Sequence, residues 1–439
     1  MLLTSKTFCI LPWIHFFIEP SSEVKLCCFS SEGLTGETGS PLGLKNMSLR
    51  HIWNSVAMKD IRRRMVAGER IGACAKCDRE SDLGQTPARA YYNNLWLEND
   101  REHEEWELRV AKSIENNLEV TGLPVYYDLR PGNRCNLKCR MCNADYSCRI
   151  REDALHSKWA HQSPDIEGSR FPEGSKWYEA DDIFLNEIME NIQDTRVFYI
   201  SGGEPLINPF TLKLIDLLIE LKVARKIVLH FSSNLTIYPE DVFAKLKNFE
   251  SVLFYISVDG MGPVNEYIRY PAKWFNVERN MKEISQNPGI SCIITPTVQN
   301  YNVLSITDLI DFAGSLNMRC NLNTLFAPHY LSVRAMPGPA RRLAIDRLLE
   351  YLEKSSLVKK FPDLAASIHN VVMELKQDTQ KPYLDTIAEF IMFTNDLDRS
   401  RNQSFKDTLP ELYNFIIKDG HTWSTEENIM LTTEKLSSE

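Results

Sequence analysis

The sequence lacks several features that would assign it to a common class of protein. Its 439 residues contain no apolar run of the ~18 residues that a membrane-spanning helix needs. It has no excess of basic residues, because 50 Lys and Arg stand against 59 Asp and Glu, which gives a net charge of −9. We therefore expect neither a membrane protein nor a protein that binds nucleic acid by general electrostatic attraction.

The chain also lacks low-complexity tracts and internal repeats, and we do not expect its first residues to act as a signal peptide. Its first residues, MLLTSKTFCILPWIHFF, are apolar, but they have neither a charged leading segment nor a small-residue cleavage site. The length predicts two or three domains, and 43% hydrophobic residues are typical of a globular protein. We expect a cytoplasmic protein whose 11 cysteines serve metal binding or catalysis rather than disulfides.

Three cysteines stand close together in the string CNLKCRMC. They are Cys135, Cys139 and Cys142, and they follow an alternating segment, 125–130, that is predicted to be a strand. Three thiolates can hold a four-iron cluster and leave one iron open to a small molecule. A zinc site that lacks one ligand is the alternative, although the residues that follow add no regularly spaced ligand pair.

The cysteine motif resembles the signature of the radical S-adenosylmethionine superfamily. The resemblance implies that the open iron binds the methionine end of the cofactor. Reductive cleavage then gives a 5′-deoxyadenosyl radical, which takes a hydrogen atom from a substrate. An external low-potential electron donor of the flavodoxin or ferredoxin type is also implied. Met141 stands where the family often has an aromatic residue against the adenine.

Polar residues end the predicted strands that follow, as SGGEP, SSN and SVDG. In the family, a GGEP element contacts the methionine amine, and the next strand ends bind the ribose and the carboxylate. The resemblance therefore implies a cofactor site made of Met141, Gly202, Gly203, Glu204, Pro205, Ser232, Asn234, Ser257, Asp259, Arg269 and Val298, with Gln299 beside it. For the Ser, Asn and Asp residues, a helix cap or a turn is an equally good interpretation.

Strands and helices alternate from residue 123 onward, which predicts an α/β fold. The predicted strands are 125–130, 196–201, 227–232, 252–258, 292–298 and 319–325, and the predicted helices are 209–222, 239–248, 275–286 and 304–316. The alternation indicates parallel strands with right-handed crossovers. The resemblance implies a partial (β/α)6 barrel of the TIM type. The long segment 148–180 is either a lid over the open end or a variable surface insertion.

A second group of cysteines lies near the N-terminus. Cys9, Cys27, Cys74 and Cys77 can close an iron–sulfur cluster or hold zinc, with Cys28 as the alternative to Cys27. This block resembles the auxiliary-cluster domain called SPASM or, in its shorter form, twitch, although such domains usually follow the barrel. The block also contains a predicted hairpin, made of 14–18 and 24–26, and a predicted helix over 48–67.

The expected organisation has four parts: a SPASM/twitch-like domain over 1–85, a helical connector over 86–121, the radical S-adenosylmethionine barrel over 122–335 and a helical region over 336–439. We expect an oxidoreductase or transformase that oxidises, cross-links or epimerises a peptide or protein side chain. The alternative substrate is a small polar metabolite, such as an aminosugar or a nucleotide derivative. The alternative class is a non-catalytic iron–sulfur electron carrier or sensor, which would need no polar strand ends.

Overall fold

The structure of the protein is a computed structural model, which describes residues 5–45, 47–82, 84, 86–98, 103–160, 183–379 and 381–423. The chain divides into two compact units. The first unit comprises Met1–Cys135, Arg170–Ser233 and Pro239–Leu253, and the second comprises Asn136–Ser169, Asn234–Tyr238 and Phe254–Glu439. Most of the predicted insertion lies outside the described residues. Among the described helices, none has the length and apolar character that crossing a bilayer requires.

The strands are, in chain order, β1 (His15–Ile18), β2 (Val24–Lys25), β3 (Tyr126–Leu129), β4 (Val197–Ile200), β5 (Val228–Ser233), β6 (Ser251–Ile256), β7 (Ile290–Ile294), β8 (Thr297–Val298), β9 (Arg319–Cys320) and β10 (Asn323–Thr324). Eight of them form one sheet in the order β2-β1-β3-β4-β5-β6-β7-β9. The pairs β1–β3, β3–β4, β4–β5 and β7–β9 are parallel. The predicted α/β class, with a mostly parallel sheet of the partial-barrel kind, is confirmed.

The helices are, in chain order, α1 (Leu11–Ile14), α2 (Leu49–Trp53), α3 (Val56–Val66), α4 (Ala75–Asp82), α5 (Ala88–Asn93), α6 (His103–Glu115), α7 (Cys148–Arg151), α8 (Ala154–Ala160), α9 (Ile183–Glu190), α10 (Pro209–Glu220), α11 (Glu240–Leu246), α12 (Gly262–Ile268), α13 (Trp274–Ser285), α14 (Ile306–Ser315), α15 (Gly338–Lys354), α16 (Ser356–Lys360), α17 (Pro362–Leu375), α18 (Tyr383–Arg401), α19 (Phe405–Thr408) and α20 (Pro410–Lys418). The four predicted crossover helices are present as α10, α11, α13 and α14. The C-terminal region is helical, as predicted.

Helix α10 shows how the local sequence sets these elements. The side chain of Asn208 caps it by accepting a hydrogen bond from the Phe210 backbone N–H. Pro209 occupies the first turn, where its missing N–H costs nothing. The residues that the helix buries recur at helical spacing, and burying each such side chain stabilises the fold by ~1.5–3 kcal/mol. They are Phe210, Leu214, Ile215 and Leu218.

The N-terminal hairpin belongs to the main sheet. β1 pairs antiparallel with β2, and on its other side it pairs parallel with β3, where His15 lies opposite Tyr126. All four residues of β1 are buried, which is typical of a strand covered on both faces. The sequence predicts the hairpin but not its pairing with β3, because alternation does not say which strand edges meet.

Three predicted elements are interrupted in the structure. The helix predicted over 48–67 is two helices, α2 and α3, because Ser55 starts a new helix by capping its N-terminus. The strand predicted over 292–298 is β7 followed by β8, separated at Pro296, which has no N–H for a strand ladder. The strand predicted over 319–325 is likewise split into β9 and β10, and β10 pairs with β8.

The four parallel strands of the first unit have two unlike faces. One face is apolar and fully buried, and its two rows across β1, β3, β4 and β5 are Phe16, Tyr127, Phe198 and Leu229, then Ile18, Leu129, Ile200 and Phe231. We call the opposite side the polar face. Its row across the same strands is Phe17, Asp128, Tyr199 and His230.

Candidate functional site

The cysteine motif begins at the end of the first unit with Cys135 and continues into the second unit. In the second unit, Cys139 is buried and Cys142 is half-buried. Burial raises the pKa of both thiols, and it raises that of Cys142 to about 12 with a further contribution from the neighbouring Cys139. Because metals bind the thiolate form, a metal or another positive charge has to stabilise these sulfur atoms.

Backbone hydrogen bonds hold the segment that carries Cys139. The N–H of Lys138 donates to the carbonyl of Tyr270 at 2.8 Å, and the N–H of Arg140 donates to the carbonyl of Ile268 at 2.8 Å. The residues on both sides of Cys139 are therefore hydrogen-bonded to the end of α12 and to the segment that follows it. The polypeptide therefore fixes this part of the loop by itself.

The side chain of Arg140 adds a second anchor. It is fully buried, and its Nε donates to the carbonyl of Tyr267 at 2.9 Å. Its Nη2 lies 2.5 Å from Oδ1 of Asp398 and donates to Gln403 at 3.0 Å. The Tyr267 hydroxyl donates to the same Asp398 oxygen at 2.7 Å. The C-terminal helix α18, which carries Asp398, thus holds the cysteine loop in place.

Two predicted cofactor residues, Asp259 and Arg269, form a buried ion pair beside Cys139. The Arg269 Nε lies 2.7 Å from Oδ2 of Asp259, and the Thr297 N–H donates to Oδ1 at 2.7 Å. The Nη1 of Arg269 points at the sulfur of Cys139 at 3.9 Å. The Arg269 charge lowers the pKa of the Cys139 thiol against the larger effect of burial. Asp259 therefore positions a cation that favours the thiolate.

Asn234 is hydrogen-bonded to the start of the cysteine loop within the second unit. Its Nδ2 donates to Oδ1 of Asn136 at 2.9 Å, while its own Oδ1 accepts from the Thr236 N–H at 3.0 Å. The second bond forms an Asx turn. A turn was the alternative to cofactor binding that the sequence analysis gave for Asn234. The first bond joins this turn to the residue that follows Cys135.

The remaining predicted cofactor residues of the second unit have different environments. Val298 is fully buried in β8, and Gln299 is buried beside it. Ser257 is half-buried after β6. Met141 is half-buried and lines a cavity with Arg140, Cys142, Trp159, Tyr330 and Phe393 among others.

In the first unit, the glycines of the GGEP element lie against the segment that leads to Cys135. Gly202 has a φ of +105°, and a Cβ at this residue would lie 2.9 Å from the carbonyl oxygen of Gly132. A Cβ on Gly203 would lie 2.1 Å from the carbonyl oxygen of Arg134. Both positions require glycine, because real Cβ atoms do not approach backbone this closely.

Glu204 is buried and held in one orientation. Its N–H donates to the Arg134 carbonyl at 2.8 Å. Its Oε1 accepts from the Ser233 hydroxyl at 2.8 Å and from the Leu206 N–H at 3.1 Å. Pro205 begins the short 3₁₀ turn that follows. The carboxylate is therefore oriented by residues of its own unit.

The four N-terminal cysteines line one cavity. Cys9, Cys27, Cys74 and Cys77 all border it, together with Phe29, Met65, Arg89 and Tyr92 among others. Burial is the main reason that the pKa of Cys9 is raised, and the charges of the other three cysteines raise it further. Cys28 is exposed and is not among the lining residues. The structure thus brings together the four cysteines that the sequence analysis grouped.

The lining of this cavity combines buried thiols with a nearby positive charge. Within the described ranges, no three His, Cys, Asp or Glu side chains meet in a way that would hold one ion. Burial raises the pKa of Cys27 to about 12 and that of Cys74 to about 11. The Arg89 charge acts in the opposite direction on Cys74, and Arg89 itself forms a buried ion pair with Asp78.

The polar face of the first unit was missed by the sequence analysis. Asp128 is 2% exposed, and its Oδ1 accepts no hydrogen bond within the part of the chain that the structure describes. The nearest cation, Nε of Arg130, lies 3.8 Å away. Burial raises the pKa of Asp128 to about 7. The sequence feature that could have revealed this face is Asp128 itself, because a charged residue is rare at the centre of a buried strand.

Other polar-face side chains contact one another around Asp128. The hydroxyl of Tyr199 shares a hydrogen bond with that of Ser232, a predicted cofactor residue, at 2.7 Å. The Arg130 guanidinium lies over the Phe17 ring, 4.5 Å from its centroid. This face therefore offers a carboxyl, a guanidinium and hydroxyls, whereas the rows of the opposite face consist of hydrocarbon side chains and the Tyr127 hydroxyl.

Among solved structures, the chain is similar to SuiB of Streptococcus suis. The match to SuiB bound to S-adenosylmethionine has 15% identity and a TM-score of 0.35, and it covers 72% of this chain and 67% of that one. The match to SuiB bound to precursor peptide SuiA has 13% identity and a TM-score of 0.35, and it covers 74% and 71%. A search of curated proteins found no match.

Comparison with protein-family models gives two matches. Residues 129–313 match the radical SAM superfamily, and residues 9–78 match the SPASM iron-sulfur cluster-binding domain. The N-terminal position of the second match confirms the predicted order. The chain thus carries a radical S-adenosylmethionine domain preceded by a SPASM domain, and its cofactors are 4Fe–4S clusters and S-adenosylmethionine.

Proposed function

We propose that the protein is a radical enzyme that acts on a peptide or protein side chain. When bound, the cluster and S-adenosylmethionine supply the reductive cleavage that gives a 5′-deoxyadenosyl radical, and the protein supplies binding and orientation. The observation that carries the radical-enzyme part of this proposal is the Arg269 guanidinium, which Asp259 holds 3.9 Å from the sulfur of Cys139. A purely structural cysteine would not need a buried cation beside it.

Cys135, Cys139 and Cys142 are the proposed ligands of the catalytic cluster. The segment around Cys139 is fixed by backbone bonds and by Arg140, so its sulfur is placed before metal arrives. This support matters because a thiol in an apolar environment is difficult to deprotonate. The arginine charge and the metal together make the thiolate accessible.

The proposed binding site for S-adenosylmethionine consists of the same residues as in the sequence analysis. Gly202 and Gly203 give the backbone a close approach that no other residue permits. Glu204 has a fixed carboxylate, suited to an ammonium group. Asp259 and Arg269 form an ion pair with each other, and Arg269 also contacts the sulfur of Cys139. The other members are Met141, Pro205, Ser232, Asn234, Ser257 and Val298.

Cys9, Cys27, Cys74 and Cys77 are the proposed ligands of the auxiliary cluster. They are supported by the single cavity that all four line and by the absence of Cys28 from that lining. Four thiolates close a cluster completely. Such a cluster would take electrons from a substrate radical rather than bind the substrate, which favours an oxidation or a cross-link.

The polar face of the first unit is the proposed substrate surface. It carries Asp128, whose buried oxygen has no hydrogen-bond partner among the described residues, and half-buried groups such as Tyr199 and Arg130. A buried polar atom without a partner is rare in folded proteins and needs an explanation. A substrate amide, amine or hydroxyl would satisfy it.

The direct test is anaerobic reconstitution of the full chain with iron, sulfide, reductant and S-adenosylmethionine. We expect 5′-deoxyadenosine by mass spectrometry, and its loss in Cys139→Ala. Cys320→Ala is the matched control, because Cys320 is another buried cysteine of the second unit outside the motif. Wild-type protein that is loaded with iron but makes no 5′-deoxyadenosine would refute the enzyme assignment.

The substrate class has a separate test. A cell extract is divided by size into a peptide fraction and a small-molecule fraction, and each is added to the reconstituted enzyme. Stimulation of 5′-deoxyadenosine formation by the peptide fraction supports the proposal. Stimulation by the small-molecule fraction alone shows instead that the substrate is a metabolite.

A further inference from the structure

Four cationic side chains surround the Cys139 loop in the second unit, and three of them have a close carboxylate partner. The pairs are Lys138 with Asp153 at 2.7 Å, Arg140 with Asp398 at 2.5 Å and Arg269 with Asp259 at 2.7 Å. Each of these pairs is electrically neutral. The fourth cation, Arg401, is different.

Arg401 is a buried arginine without a close anion. Its side chain is 0% exposed, and within the described residues the only carboxylate oxygen within 4.0 Å is that of Asp153, at 4.0 Å. That carboxylate already binds Lys138. The Nη2 of Arg401 contacts Nδ1 of His156 at 2.9 Å. His156 is neutral, because burial lowers its pKa to about 3.

Two nitrogens of the same guanidinium have no acceptor. Nε and Nη1 of Arg401 are buried and make no hydrogen bond to any described residue. Burial lowers the pKa of Arg401 only to about 10, so the group stays charged at neutral pH. Burying an unpaired charge is strongly unfavourable, so the arrangement calls for an anion that the described residues do not supply.

The position of Arg401 points to the identity of that anion. Its Nη2 lies 4.0 Å from the Asp153 carboxylate that binds Lys138, the residue before Cys139, and its charge lowers the pKa of the Cys139 thiol. Its Cζ lies 5.3 Å from the centroid of the Tyr270 ring, and the Tyr270 carbonyl accepts from the N–H of Lys138, the residue before Cys139. An iron–sulfur cluster held by three thiolates is anionic, and reduction makes it more so.

We propose that Arg401, at the end of helix α18, is the electrostatic partner of the catalytic cluster and raises its reduction potential. The inference rests on the proposed role of Cys139 as a cluster ligand. Arg401 is a positioning and tuning residue, since it acts through the cluster. It gives the C-terminal helical region, which carries no sequence motif, a part in the electron transfer that starts the reaction.

The test is an EPR-monitored redox titration of the reconstituted full chain with both clusters. The signal that changes on addition of S-adenosylmethionine identifies the catalytic cluster. In Arg401→Met, we expect the equilibrium constant of its reduction to fall about tenfold, which is about 59 mV toward more negative potential for one electron. Arg401→Lys, which keeps the charge, should recover most of that change.

Two controls separate this effect from others. Arg399→Met removes an exposed arginine of the same helix and should leave the potential unchanged. The auxiliary cluster should keep its potential in every variant. If Arg401→Met fails to fold or to load iron, Arg401→Gln replaces it, because it keeps a polar side chain of similar shape without the charge.

The outcomes are distinct. The inference is overturned if Arg401→Met or Arg401→Gln binds its full iron and the catalytic cluster keeps the wild-type reduction potential. It is also overturned if Arg401→Lys lowers the potential as much as the uncharged variants do. A wild-type chain that forms no 5′-deoxyadenosine refutes the proposed function itself. Wild-type cleavage with an unaltered potential in the variants refutes only the role of Arg401.

Discussion

Replacing Asp128 by Asn should stabilise the protein above neutral pH, although it removes a buried polar group. Burial raises the pKa of Asp128 from 3.8 to about 7. One pKa unit corresponds to 1.36 kcal/mol, so the ionised carboxylate costs the folded state about 4 kcal/mol. An amide of the same shape avoids that cost.

The sign of the pH dependence follows from proton binding. Between pH 3.8 and about 7, the folded state holds a proton on Asp128 that the unfolded chain has released. Stability therefore falls as the pH rises through that window, and the cost is complete above it. We expect the Asn variant to exceed the wild type by about 4 kcal/mol near pH 8 and by little near pH 4.

Urea-induced unfolding of the reconstituted protein, followed by circular dichroism at several pH values, measures this difference. Asp216→Asn is the control, because Asp216 is a half-buried aspartate of the same unit that already pairs with Lys245, and loss of this surface ion pair should change stability by at most about 1 kcal/mol. A variant that is less stable than the wild type at high pH, or a difference that does not vary with pH, would refute the reasoning. The Asn variant should still form 5′-deoxyadenosine while losing substrate turnover.

Three further predictions concern other parts of the molecule. Gly203→Ala places a Cβ 2.1 Å from a backbone oxygen, so it should lower the melting temperature and abolish binding of S-adenosylmethionine, as measured by equilibrium dialysis. Gly338→Ala is the control: its Cβ meets nothing closer than 3.5 Å, so both the melting temperature and the binding should stay unchanged. Cys27→Ser should lower the bound iron measured by metal analysis, whereas Cys28→Ser should leave it unchanged. Asp398→Ala leaves Arg140 buried without its partner and should cost about 3–5 kcal/mol in urea-induced unfolding, and a loss under 1 kcal/mol would show that the ion pair does not hold the loop.

The sequence predicts the parts of the fold that depend on local pattern. The strands before and after the cysteine motif and the four crossover helices lie within a few residues of their predicted places. The motif and the N-terminal block are matched by family models in the predicted order. Both results come from short-range information, such as spacing, alternation and capping.

Long-range contacts explain what the sequence did not predict. Arg140 and Asp398 are 258 positions apart, and no local pattern links them. The choice between Cys27 and Cys28 stayed open because the two cysteines are adjacent in a turn after β2, and only packing determines which of them faces the cavity. The polar face was missed because it takes one residue from each of several strands.

The parallel pairing of β1 with β3 makes the N-terminal segment a structural requirement for the rest of the sheet. A shortened chain that starts after the first cysteine group would leave the backbone of β3 with an open edge, which invites association with other chains. Such fragments should aggregate rather than report on the isolated barrel. Because residues 15 and 126 are more than a hundred positions apart, this strand pair is a long-range contact, and the sheet cannot be completed until the chain beyond the first cysteine group has been synthesised.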